Sequence, residues 1–200
     1  MPDFSIEERL VGRIAGIDEA GRGPWAGPVV AAAVVLDRSH VPEGLDDSKK
    51  LSAKRRASLF DEIIEVAAVG VGIGSVAEID TLNIARANDL AMERAVEDLG
   101  FAPDFVLIDG RWVPEGLRGA AEAVVGGDGK SLSIAAASII AKVSRDRIMA
   151  GLDAEHPGYG WARNQGYGTA EHAAALERLG VTPHHRRSFR PIHNILYQEN

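Results

Sequence analysis

Apolar positions along the chain fall into short unbroken runs separated by longer amphipathic stretches. The clearest run is 28–36, Pro-Val-Val-Ala-Ala-Ala-Val-Val-Leu, which predicts a buried strand. Residues 13–18 and Phe105–Asp109 read as two more strands, each ending in an aspartate. Residues 67–76 alternate Val or Ile with Gly, the pattern of a strand that something approaches closely. Residues 121–125 fit a short final strand. Ser52 is placed to cap a helix reaching about Val66. Further helices are predicted over 81–99, 131–153 and 169–179. Gly100 and Gly180 stop the first and last of these. The tail, with Pro183 and Pro191, is expected to be irregular. Strands alternating with helices predict an α/β layer structure. The expected organisation is one domain over 1–200, with a short C-terminal extension from about residue 155.

Composition removes several function classes. The chain has 200 residues, 46% hydrophobic and 26% charged, which is ordinary for a globular protein and excludes a disordered one. There is no cysteine, so a disulfide scaffold, a zinc–thiolate site and a cysteine nucleophile are excluded. No apolar run reaches membrane-span length, and the acidic N-terminus lacks the basic start of a signal peptide. A cytoplasmic protein is expected.

The net charge of −7 argues at first against a polyanionic partner. Its distribution changes that reading. Residues 78–104 hold seven acids and two basic residues. Residues 49–56 hold five basic residues and no acid, including Lys49 and Lys50, and 184–190 holds three arginines. A basic run of this kind is either phosphate-backbone chemistry or a solvated face.

Asp18 and Glu19 are adjacent at one strand end, Asp109 ends another, and Asp128 follows the short run 121–125. Open α/β sheets place ligands at strand ends. If the first two strands are parallel neighbours, Asp18 and Asp109 lie side by side. Clustered carboxylates repel, and a hard divalent cation such as Mg²⁺ or Mn²⁺ relieves that cost. Each aspartate alone would be an ordinary turn cap. Gly21, Arg22 and Gly23 suit either a phosphate-cradling loop or a plain hairpin. Tyr159 and Tyr167 suit either base stacking or an aromatic anchor. Gly129-Lys130-Ser131 resembles the end of a phosphate-binding loop, but Val124 stands where that motif needs glycine. The adjacent His184 and His185, on an irregular tail, have no defined ligand geometry.

Taken in order, Gly16-Ile-Asp-Glu-Ala-Gly-Arg-Gly-Pro, Asp47-Ser-Lys-Lys-Leu-Ser, Val106-Leu-Ile-Asp-Gly, Gly127-Asp128, Ala136-Ala-Ser-Ile-Ile-Ala-Lys-Val, Gly166-Tyr-Gly-Thr and His184-His-Arg-Arg-Ser-Phe resemble bacterial ribonuclease HII. The Gly-Arg-Gly form points away from the related ribonuclease HIII, as does the expected lack of an added N-terminal domain. The resemblance implies a ribonuclease H-like fold, with a mixed five-stranded sheet flanked by helices. It implies an endonuclease that cuts the RNA strand of RNA–DNA hybrids and incises 5′ of single ribonucleotides embedded in DNA. Asp18, Glu19, Asp109 and Asp128 would hold two Mn²⁺ or Mg²⁺ ions. Water attack would leave 5′-phosphate and 3′-hydroxyl ends. Gly21, Arg22 and Gly23 would read the ribonucleotide, and Tyr167 would pack on the neighbouring deoxyribose. Lys49, Lys50, Lys142 and Arg145 are expected to hold phosphates, with Ser138, Lys142 and Arg145 on one helix face. The expected working form is a monomer. A sliding-clamp interaction is left open, because residues 195–200 carry no clear docking motif. Two rival functions are a nucleotide-binding protein using Gly129-Lys130-Ser131 and a non-catalytic hybrid-binding module.

Overall fold

The computed structural model describes residues 1–197. Five strands form one sheet: β1 (Ile14–Ala20), β2 (Val29–Val35), β3 (Ala68–Gly74), β4 (Phe105–Asp109) and β5 (Ala121–Val124). Their order is β3-β2-β1-β4-β5. The pairs β1–β2 and β2–β3 are antiparallel, and β1–β4 and β4–β5 are parallel. This is the mixed five-stranded sheet that the resemblance implies.

Three long helices cover the sheet: α1 (Ala53–Val66), α2 (Val76–Asp98) and α3 (Leu132–Glu155). Alternation along β2 explains its unbroken apolar run. Ala31 and Ala33 join the core under α2, with Ala87, Ala91 and Ala95. Ala32 and Val34 join the core under α1 and α3, with Leu59, Ile63 and Ile139. A strand buried on both faces has no place for a polar residue.

The glycine alternation in β3 has a specific cause. Cβ atoms at Gly70, Gly72 and Gly74 would lie 2.1, 2.0 and 2.5 Å from the α2 carbonyls of Ala95, Ala91 and Ala87. Three glycines two residues apart meet three alanines four apart, so helix backbone rests directly on strand backbone. Gly16 does the same for α3, where a Cβ would lie 2.1 Å from the Ser133 carbonyl carbon.

Two elements depart from the expected boundaries. Helix α2 starts at Val76 rather than near 81, because Ser75 and Glu78 form a capping box. Within it Asn83 has φ 72, and its Oδ1 accepts from the amides of Ala85 and Arg86, recapping the chain. The helix expected over 169–179 is present as α5 (Ala170–Leu179), preceded by the short turn α4 (Trp161–Asn164). Beyond it, the described part of the tail includes a helix, α6 (Arg190–Leu196), where irregular chain was expected. Pro191 sits in the first turn of α6, where no helical hydrogen bond is lost. These pieces surround a small core of Met149, Tyr159, Trp161, Leu176 and Ile192. No helix among the described residues is long and apolar enough to cross a membrane.

Candidate active site

The parallel ladder between β1 and β4 ends with Ile17 opposite Ile108. One step further puts Asp18 beside Asp109, as the strand-end pattern predicts. The Oδ1 of Asp109 accepts from the Gly127 amide at 2.7 Å, which anchors the turn carrying Asp128. The Oδ1 of Asp18 accepts from the Glu19 amide at 2.7 Å.

The corner is electrostatically frustrated. Asp18 is buried, and burial pushes its carboxyl well above the usual range, with Glu19, Asp109 and Asp128 adding to the rise. Burial also raises Glu19, against the pull of Arg22, and Asp109 raises it further. Asp128 is raised by burial and then by Asp109. The neighbouring cations are Arg22, 3.5 Å from Glu19, and Lys49, 3.9 Å from Asp128. An all-oxygen set of crowded carboxylates fits hard divalent cations. Lys49 already places an ammonium in this field. Asp18 and Glu19 line one cleft and Glu19 and Asp109 a second beside it, so the acids do not form a closed chelate. Among the described residues, the trio with ligand atoms within 4.8 Å of one another lies elsewhere, at Glu155, His156 and His184.

Asp18 and Glu19 share a cleft of about 380 Å³ with Gly21, Arg22, Gly23, Lys49, Lys142, Arg145 and Tyr167. The half-exposed Tyr167 ring lies over Gly23, where a Cβ would come within 3.4 Å of it. Lys142 forms an ion pair with Asp146 at 2.6 Å on the cleft wall. Lys50 lies outside this lining and pairs with Asp46 at 3.1 Å.

Arg145, an expected phosphate contact, and Ser138 on the same helix face are engaged by the protein itself. Ser138 is buried, donates to the Ala135 carbonyl, and accepts from the Ser48 amide at 3.2 Å. It anchors the loop bearing Lys49. Arg145 is buried and donates to the carbonyls of Pro28, Gln165 and Ala26 at 2.9–3.1 Å. Its guanidinium braces the cleft wall and is not free to clamp a phosphate. Gly21, at φ 98, must be glycine twice over, since a Cβ there would also lie 1.9 Å from Arg145 Nε.

Arg186 escaped the sequence reading. It is fully buried and donates to the carbonyls of Gly21, Arg22, Gly27 and Pro28. Burial lowers Arg145 to about 10 and Arg186 to about 9, so both remain charged at neutral pH. Within a His-His-Arg-Arg run, nothing marks one arginine as interior. A second unread feature flanks Glu19 and Asp109. Here Trp112 is half-exposed beneath Arg22, 5.5 Å away, and Asn88 is buried with its Oδ1 unpartnered.

The remaining candidates are structural. Tyr159 stacks on Trp161 at 4.9 Å and donates to the Gly180 carbonyl. Ser131 caps α3 and bonds Glu7, while Lys130 donates to the Val125 carbonyl, so Gly129-Lys130-Ser131 is engaged within the fold. In the basic run, Arg55 binds Glu62 and Arg56 binds the carbonyls of Ser48 and Leu51.

The family profile described as Ribonuclease HII matches residues 15–192. The ribonuclease HII of Ruegeria pomeroyi is 62% identical over 99% of this chain and 86% of its own. Among solved structures, the ribonuclease HII of Archaeoglobus fulgidus, solved with PCNA, superposes with TM-score 0.77 at 28% identity, covering 89% of this chain and 95% of that one. Bst-RNase HIII in complex with Mn²⁺ shares the fold, with TM-score 0.77 at 20% identity over 98% of this chain and 73% of its own. The sheet order, the acidic corner and the match along nearly the whole chain agree, and the chain belongs to the ribonuclease HII family of metal-dependent endoribonucleases.

Proposed function

We propose that this ribonuclease, which hydrolyses the RNA strand of RNA–DNA hybrids, also incises duplex DNA 5′ of a single embedded ribonucleotide. We assign Asp18, Glu19, Asp109 and Asp128 as the residues that hold two divalent ions, Mn²⁺ or Mg²⁺. Bound there, such ions supply charge neutralisation, an activated water and stabilisation of the leaving 3′ oxygen. The observation that carries the reading is the shared cleft, where Asp18 and Glu19 of the acidic corner meet Gly21–Gly23 and Tyr167.

Each residue then has a defined task. Asp109 and Asp128 are held in place by the bond to Gly127, so the donor set is preorganised. Arg186 engages the carbonyls of Gly21 and Arg22, and the loop's amide groups are our choice of donor to the ribose 2′-hydroxyl. The hydroxyl is read rather than used as nucleophile. Tyr167 stacks on the deoxyribose beyond it, and Lys49 and Lys142 meet phosphates. Arg145 and Ser138 act by positioning.

We place this work in the cytoplasm, performed by a monomer that forms one catalytic domain, with 155–200 as its extension. The archaeal relative was solved with PCNA. For this chain a sliding-clamp contact stays open, and residues 198–200 of the terminal segment lie outside the described residues. The test is cleavage of a duplex carrying one ribonucleotide, in Mn²⁺, Mg²⁺ or EDTA. Metal-dependent cutting to 5′-phosphate ends supports the reading. Cutting in EDTA, or a 2′,3′-cyclic phosphate product, overturns it.

A further inference from the structure

We propose that Glu155, His156 and His184 form a binding site for one Zn²⁺-type transition ion, separate from the acidic corner. One ligand atom from each residue lies within 4.8 Å of the others. Two ligands on a tetrahedral zinc stand about 3.3 Å apart, so side-chain rotation alone closes the site. The imidazole rings of His156 and His184 already meet at 5.0 Å, inclined at 61°. Two imidazoles and one carboxylate favour zinc-like ions over Mg²⁺ or Ca²⁺.

The backbone under these ligands is fixed. His156 caps the 24-residue helix α3, its amide donating to the Leu152 carbonyl. The amide of His184 donates to Thr182 Oγ1, and its carbonyl accepts from Gly27 at 2.9 Å. A helix C-terminus also favours a cation, and Glu155 is the last residue of α3. The carboxylate of Glu155 is exposed and free to swing.

An ion here would tie the end of α3 to the turn before Arg186. That turn braces the loop that faces the acidic corner. With three protein ligands, water would complete the ion's shell, and the role we assign is to tie two elements together.

The experiment is calorimetric titration of the untagged protein with ZnCl₂ in excess MgCl₂, with melting measured in parallel. The expected result is one bound zinc and a raised Tm in the wild type. His156→Gln and Glu155→Gln should each weaken zinc at least tenfold and remove the Tm rise, while Asp109→Asn should leave zinc binding unchanged. Failure of the wild type to bind zinc overturns the proposal. So does wild-type affinity in the Glu155→Gln variant, whose exposed position keeps that test open if His156→Gln does not fold. Loss of zinc in Asp109→Asn would assign the ion to the acidic corner and overturn it equally.

Discussion

Two concentrations of like charge lie on either side of the Gly21–Gly23 loop, and the protein treats them in opposite ways. On one side, four carboxylates crowd the ends of β1 and β4. The charged forms of Asp18, Glu19 and Asp128 are penalised by burial and by neighbouring carboxylates. On the other side, Arg145 and Arg186 are buried without a carboxylate partner, yet their donors meet backbone carbonyls. The arginines' donors are met by carbonyls, whereas Asp18, Glu19 and Asp128 stay crowded by like charge. A satisfied buried charge fixes a shape, whereas an unsatisfied one is a standing demand for a ligand. The loop between them inherits its position from the first and its task from the second.

The largest expected effect breaks the acidic side. Asp109→Asn keeps an oxygen for the Gly127 amide and should lower cleavage by at least about 10²-fold, as loss of a preorganised charge does elsewhere. Cleavage of a hybrid duplex checks it, and near wild-type rates would remove Asp109 from the metal set.

Breaking the arginine side should act through the fold. Arg186→Met takes a guanidinium donor from the carbonyls of Gly21, Arg22 and Gly27, and one of two from Pro28, and should cost roughly 2–4 kcal/mol of stability, measured by urea unfolding. Arg186→Lys should not rescue it, because an ammonium cannot reproduce the planar fork.

Stability of the metal-free protein sharpens the contrast. A carboxyl raised in the folded state binds its proton there more tightly than in the unfolded chain. Stability from this source is therefore greatest at acid pH and falls as pH rises from the ordinary carboxylate value through the raised one. In EDTA, the Tm should decline across that window. Asp109→Asn should flatten the decline and melt higher than wild type at pH 8, while Arg186→Met melts lower. If both variants melt lower, the acidic corner is not frustrated.

The smallest effect concerns discrimination. Tyr167→Ala should slow incision at a single embedded ribonucleotide by more than it slows cutting of a long hybrid. Equal slowing on both substrates would remove Tyr167 from junction reading.

The same contrast explains what was legible in the sequence. Asp18 and Asp109 each end an apolar run, and parallel pairing is enough to bring them together. That information is local. The role of Arg186 is not local, since it bonds the carbonyl of Arg22 across 164 residues. Nothing in a basic run distinguishes the arginine that turns inward. Ser138 and Lys142 do share a helix face, but which of them reaches solvent depends on the loop at Ser48 packed above. The glycine alternation of β3 was readable as close approach, although the sequence did not say that α2 is what approaches. The break at Asn83 was unread, because asparagine is unremarkable inside a helix until its φ is known.

The 164-residue reach of Arg186 also sets an order of events during synthesis. The acids and the loop they face leave the ribosome before the arginine that seats the loop. A nascent chain can assemble the sheet and its acidic corner while the loop is still unbraced. Contacts this distant in sequence form late and slowly. A chain truncated before Arg186 would carry the acidic corner without the loop's brace. The loop is seated only when the segment bearing Arg186 folds back onto it.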